Sequence, residues 1–129
     1  MDLGILAFGD TGWGDELARG VLTTVAIATA AYLVGTLLGI LLATMKLSGS
    51  LALNVPATIY TTTLRGMPEM LVIYLVFFGG GALSSWIASS ILGIHGRVDL
   101  PSVAVGVLCI ALSVGAYACE VIRGAVLAV

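Results

Sequence analysis

From Gly20 to Met45 the chain runs 26 residues without one charged side chain. Wound as an α-helix, that stretch is about 39 Å long, more than the roughly 30 Å hydrocarbon layer of a bilayer requires. Two further uncharged runs follow, Met70 to Leu92 and Leu100 to Cys119. Charged residues make up only 9% of the chain and hydrophobic ones 60%, with mean hydropathy +1.16. A soluble domain wets its surface with about 25% charged residues, so this composition excludes a soluble globular domain and a disordered tail. Five Lys+Arg against seven Asp+Glu give a net charge of −2 with no basic stripe, which excludes a nucleic-acid binder. The expected class is an all-α membrane protein with about three transmembrane helices.

The start does not read as a cleaved secretory signal. Residues 1–20 hold Asp2, Asp10, Asp15 and Glu16 against Arg19 alone, where a signal needs a basic lead, and the apolar run that follows is too long. The chain therefore divides into an outer segment at 1–19, a first span at 20–45, a cytoplasmic or interfacial segment at 46–68 and a second span at 69–90. A loop at 91–100, a third span at 101–123 and the start of a cytoplasmic segment at 124–129 complete it. In the 46–68 segment, Asn54 and Pro56 interrupt an uncharged stretch too short to cross alone. Gly79, Gly80 and Gly81 predict a loosening or bend in span two, and Trp86 falls where an interfacial aromatic is useful. Lys46, Arg65 and Arg123 lie on one side and Arg19 and Arg97 on the other, a three-to-two vote for an outside N-terminus.

Gly35 and Gly39 form a GxxxG pair in span one, which lets helix backbones approach closely, either as ordinary packing or as a dimer contact. Cys109 and Cys119 are about 15 Å apart along one helix, beyond disulfide reach, and read as small buried hydrophobes. His95 stands alone, so a metal site has no ligand set. No nucleophile–histidine pair and no phosphate-binding loop occurs, so the chain is expected to be no enzyme and to hold no cofactor.

Two polar clusters remain. Arg65, Gly66, Met67, Pro68 and Glu69 lie at the base of span two. They read either as a polar hinge, with Gly66 permitting unusual backbone angles and Pro68 denying a helix bond, or as an ordinary helix entry with snorkelling charges. Ser113, Tyr117, Glu120 and Arg123, followed by Gly124, recur at spacings of four, three and three, which places them on one helix face. That face is either a polar stripe lining a pathway or meeting a partner subunit, or a helix end anchored by a Glu120–Arg123 ion pair.

These clusters resemble signatures of permease subunits of bacterial ABC importers for polar amino acids. TTTLRGMPEMLVIYLVFFGG is similar to the family's Arg-Gly-x-Pro opening of a membrane helix. SVGAYACEVIRGAV resembles its Ser-x-x-x-Tyr-x-x-Glu-x-x-Arg-Gly segment, and ELARGVLTTVAIATAAYLVGTLLGILLATMKLS its first span. Glu69 directly after Pro68 looks like the branch serving histidine, lysine, arginine, ornithine and opines, while Met67 departs from the more usual Thr or Val.

The resemblance implies the amino-terminal part of a type I importer permease fold, multi-pass in the bacterial inner membrane with a periplasmic N-terminus. It implies a second permease subunit, two ATP-binding cassette subunits carrying ATP and Mg, and a periplasmic substrate-binding protein as partners. Transport would proceed by alternating access, with Arg65, Gly66, Pro68 and Glu69 as hinge and Glu120 and Arg123 leading to the ATPase-docking loop. That loop would begin just after Val129, so the chain reads as a fragment unable to support transport alone. A channel or secondary-transporter fragment and a non-transporting membrane scaffold are the alternative readings.

Overall fold

The computed structural model describes residues 12–80, 82, 86, 89, 90 and 101–129. Among these the regular structure is entirely helical. Helix α1 (Gly14–Leu47) begins with Asp15 and Glu16 in its first turn and ends with Lys46 in its last, both favourable to the helix dipole. It therefore takes in residues 14–19, which the charge pattern leaves outside the span. The hydroxyls of Thr23, Thr24 and Thr29 donate to the carbonyls of Arg19, Gly20 and Val25 at 2.8–2.9 Å, so an apolar helix carries these polar groups already satisfied. Gly49, at φ 67°, turns the chain into the next helix.

Helix α2 (Leu51–Gly66) runs unbroken through Asn54 and Pro56 and, at 16 residues, is shorter than a span. Position keeps it unbroken. Pro56 sits in the second turn, and its missing N–H removes only the bond to the Ala52 carbonyl. Asn54 points its amide at the Lys46 carbonyl at 3.1 Å and so ties α2 to the end of α1. The helix stops at Gly66 because Met67 (φ −101°, ψ 145°) and Pro68 (φ −58°, ψ 134°) are extended. Gly66 itself is helical and not at positive φ, so the break comes from the residue before proline, whose α conformation is disfavoured, and not from glycine freedom.

Helix α3 (Glu69–Tyr74) widens into a π-helical turn at Leu75–Gly79, just ahead of where the glycine triplet predicts a bend, and Gly80 remains helical. Trp86 is helical and 64% exposed. Gly81, His95 and Arg97, with the whole 91–100 loop and residues 1–11, lie outside the described residues. Helix α4 (Ser102–Leu127) starts behind Pro101 and runs past Arg123 through most of the 124–129 segment. Prolines play the same part at both helix starts: the Pro68 carbonyl accepts from Leu71 and the Pro101 carbonyl from Val105, each just before the first helical residue.

Helices α1 and α4 are each long and apolar enough to cross a membrane. Their packing inverts the rule for water-soluble cores. Ala31, Gly35, Gly39 and Ala43 are buried on one face of α1, at spacings of four, while Leu33, Leu37 and Leu41 are 59%, 68% and 57% exposed. On α4 the buried set is Val105, Cys109, Ala111, Ser113, Gly115, Ala116 and Cys119, all but Val105 small, with Val121 outside. Water would drive the leucines inward; lipid does not, and it leaves close backbone packing of small residues to hold the helices together. The GxxxG pair serves this intrachain contact. A Cβ on Gly35 would stand 2.7 Å from Val114 Cβ, and one on Gly39 would stand 2.6 Å from Ala118 Cβ. Both cysteines are buried free thiols.

Candidate functional site

One carboxylate joins three helices. Glu120 on α4 pairs through Oε1 with the Lys46 ammonium at the end of α1, and its Oε2 accepts from Arg123 Nε at 3.0 Å. Lys46 also donates to the Thr61 hydroxyl on α2 at 2.7 Å. Thr61 lies 3.3 Å from Glu120 Oε1 and 3.2 Å from the Thr58 carbonyl; with one proton, it donates to one of these while accepting from Lys46. The side chains of Lys46 and Glu120 are 7% and 17% exposed, and Thr61 is 1% exposed. Charges so placed must be paired, and here every charge on the inner side of the network has a partner.

The surroundings fix these groups. Leu42, Ala43, Ala57 and Cys119 form a buried cluster where α1, α2 and α4 meet, flanked by Leu38, Met45, Tyr60 and Ile122. The Tyr60 hydroxyl donates to the Leu112 carbonyl at 2.9 Å, a second tie between α2 and α4. Beside the network opens a polar cleft of about 430 Å³ bordered by Lys46, Asn54, Thr58, Thr62 and Arg65, with Glu120 and Arg123 on the α4 side. Arg65 lies with its guanidinium 5.7 Å from the centre of the Tyr117 ring, a cation–π distance.

A second cavity, of about 450 Å³, is mostly apolar and is lined by Tyr32, Thr36, Glu69, Ser113 and Tyr117 among others. The polar stripe of α4 is thus divided: Ser113 and Tyr117 face the Glu69 side, and Glu120 and Arg123 the Lys46 side. A helix turns 100° per residue, so the four residues spread over about 120°, wide enough to meet different neighbours. The Glu120–Arg123 contact read from the sequence is present. The Arg65–Glu69 segment forms the α2–α3 joint, with Glu69 exposed and, among the described residues, in no ion pair. A Cβ on Gly66 or on Gly124 would touch nothing within 4 Å, so neither glycine is required by packing.

Sequence reasoning did not assign Lys46, Thr61 or Asn54 to the site. Lys46 reads as a charge closing a span and Thr61 as one of three consecutive threonines. The available signal was that Glu120, an acid beside a membrane span, needs more than an exposed arginine to be held there.

No protein-family model and no solved structure matches the chain. Curated proteins do. The nopaline transport system permease protein NocQ of Agrobacterium fabrum is 53% identical over 129 residues, which is 100% of this chain and 55% of that protein. The octopine transport system permease protein OccQ of Rhizobium meliloti is 45% identical over 98% of this chain and 53% of its own length. The histidine/lysine/arginine/ornithine permease protein HisQ of Salmonella typhimurium is 29% identical over 92% of this chain and 51% of its own. The chain spans about half the length of the curated relatives it matches.

Proposed function

We infer that this chain, a homologue of opine and basic amino-acid permease proteins along its full length, forms part of the transmembrane permease subunit of an ATP-driven importer. The observation that carries this is the 53% identity to a nopaline permease protein across all 129 residues. Cargo is an opine or a cationic amino acid, as the names of the relatives indicate. The working assembly contains a second permease subunit, ATP-binding subunits that hold ATP and Mg, and a periplasmic protein that delivers substrate. It sits in the bacterial inner membrane with the N-terminus of this chain in the periplasm.

The geometry gives this reading a mechanical basis. Alternating access needs bodies that move as units and joints between them. The Lys46–Thr61–Glu120 network clamps α1, α2 and α4 at one end. The extended Met67–Pro68 pair separates α2 from α3 and is the natural joint, with Arg65 and Glu69 at its two sides. Arg123 continues from the clamp along α4 toward the docking region of the partner ATPase. Nucleotide binding then shifts the assembly only through contacts that differ between the two states. A channel or scaffold offers no account of homology that runs the full length of the chain.

Uptake into proteoliposomes that contain the complete permease with its partners tests this. Labelled nopaline, octopine or arginine should enter only with ATP and the binding protein, and Glu120→Ala should insert normally while lowering uptake several-fold. Uptake that is indifferent to ATP would remove the importer assignment; uptake unchanged by Glu120→Ala would remove the clamp from the mechanism.

A further inference from the structure

The polar cleft between α1, α2 and α4 holds more positive charge and more hydrogen-bond donors than its own residues consume. Lys46, Arg65 and Arg123 border it, with Glu120 as the one acid. Glu120 is already engaged at both oxygens. Arg123 reaches it through Nε, and among the described residues its terminal guanidinium nitrogens are in no hydrogen bond. Among the described residues Arg65 forms no ion pair; it rests on the Tyr117 ring, which fixes its plane without neutralising it. The Thr62 hydroxyl adds a donor on the same wall. Two guanidiniums with free edges, beside an ammonium whose side chain is 7% exposed, form a built receptor for a tetrahedral oxyanion.

We propose that this cleft binds a phosphate-bearing anion. Its volume of about 430 Å³ admits a glycerophosphate headgroup as well as a free phosphate. Leu51, one turn from Asn54 on α2, is 79% exposed, so apolar surface for acyl chains lies within a turn of a cleft residue. Basic pockets between membrane helices take anionic headgroups on the same principle. The cleft would then add a second layer to the clamp, with the anion joining Arg65 of α2 to Arg123 of α4.

The test uses the complete permease that contains this chain, purified in a neutral detergent. Native mass spectrometry compares retention of phosphatidylglycerol with that of phosphatidylcholine, and phosphorus NMR follows inorganic phosphate added alone. Phosphatidylglycerol should be retained preferentially. Arg65→Gln and Arg123→Gln should each reduce that preference about fivefold, Arg65→Lys should reduce it by less because the charge remains while the fork is lost, and Arg19→Gln, on the first turns of α1, should leave it unchanged. Phosphate line broadening that Arg65→Gln abolishes marks a site for free anion; phosphatidylglycerol retention without such broadening marks a lipid headgroup. Equal retention of the two lipids with no broadening overturns the proposal. So does an Arg19→Gln loss as large as that of Arg65→Gln, because the attraction would then be general and not located in the cleft.

Discussion

Replacing Gly39 by alanine adds one methyl group at the tightest point between α1 and α4. The new Cβ would lie 2.6 Å from Ala118 Cβ, 3.0 Å from the Cys119 nitrogen and 3.2 Å from the Ala118 carbonyl carbon. Carbon atoms pack at about 3.5–4.0 Å, so the contact falls short by roughly 1 Å. None of the opposing atoms is the end of a flexible side chain, so relief comes only from moving one helix away from the other. Overpacking of this kind costs about 1–3 kcal/mol. Alanine also gains about 1 kcal/mol of helix propensity over glycine, which would blur a single measurement.

Gly124→Ala supplies the reference, because a Cβ there meets nothing within 4 Å and the propensity gain is the same. The difference between the two variants isolates the clash and should be about 1–3 kcal/mol. Gly35→Ala should resemble Gly39→Ala, its Cβ facing Val114 Cβ at 2.7 Å and the Ala111 carbonyl oxygen at 2.8 Å. Gly115→Ala should fall between, because its nearest neighbour at 2.9 Å is the movable tip of Leu38. Unfolding of the detergent-solubilised chain by added denaturing detergent reads the order, and maleimide labelling of the buried Cys119 reads the opening of the interface directly. Equal midpoints for Gly39→Ala and Gly124→Ala would refute the close approach.

Three further outcomes are expected. Lys46→Met leaves Glu120 with Arg123 alone and should destabilise the chain by up to about 3–5 kcal/mol, whereas Lys46→Met combined with Glu120→Met should recover most of that loss in the same unfolding assay. Tyr60→Phe removes the hydrogen bond to the Leu112 carbonyl and should cost about 0.5–1.5 kcal/mol, read as a lowered unfolding midpoint with the helix content unchanged. A cysteine placed at exposed Ser48 should react with a membrane-impermeant maleimide in inside-out vesicles and not in intact spheroplasts; the opposite pattern would reverse the orientation of the chain.

Charge-free length makes α1 and α4 legible in the sequence, since a run such as Gly20 to Met45 has few alternatives to a helix in lipid. Helix α2 is less legible because Asn54 and Pro56 look like breakers, and only their place in the first two turns makes them harmless. Ahead of the Gly79–Gly81 triplet, from which a bend is expected, the helix takes a π-helical turn at Leu75–Gly79, and the last glycine of the triplet lies outside the described residues. At the site, the Glu120–Arg123 pair is local and therefore readable from spacing. The Lys46–Glu120 pair joins residues 74 positions apart, and no periodicity reports on it. A lone lysine at a span end looks the same in sequence whether it snorkels to water or turns inward to a buried carboxylate; only the helix crossing decides.

That crossing ties the two halves of the architecture together. Gly39 packs against Ala118 and Cys119, two residues and one residue before Glu120, and lies two turns from Lys46 on the same helix. A glutamate is short, so it meets the lysine only where the two backbones are held close. Separating α1 from α4 by about 1 Å stretches the Lys46–Glu120 contact toward the limit of hydrogen-bond range and, through the Lys46–Thr61 bond, disturbs Thr61, which is already 3.3 Å from Glu120. Gly39→Ala should therefore remove part of what Glu120→Gln removes. In a double-mutant cycle the combined loss should be smaller than the sum of the single losses by about 0.5–3 kcal/mol, the range for residues sharing a network. Strict additivity would mean that the carboxylate follows its partners by side-chain motion alone, and the small-residue contact would then have no part in placing the clamp.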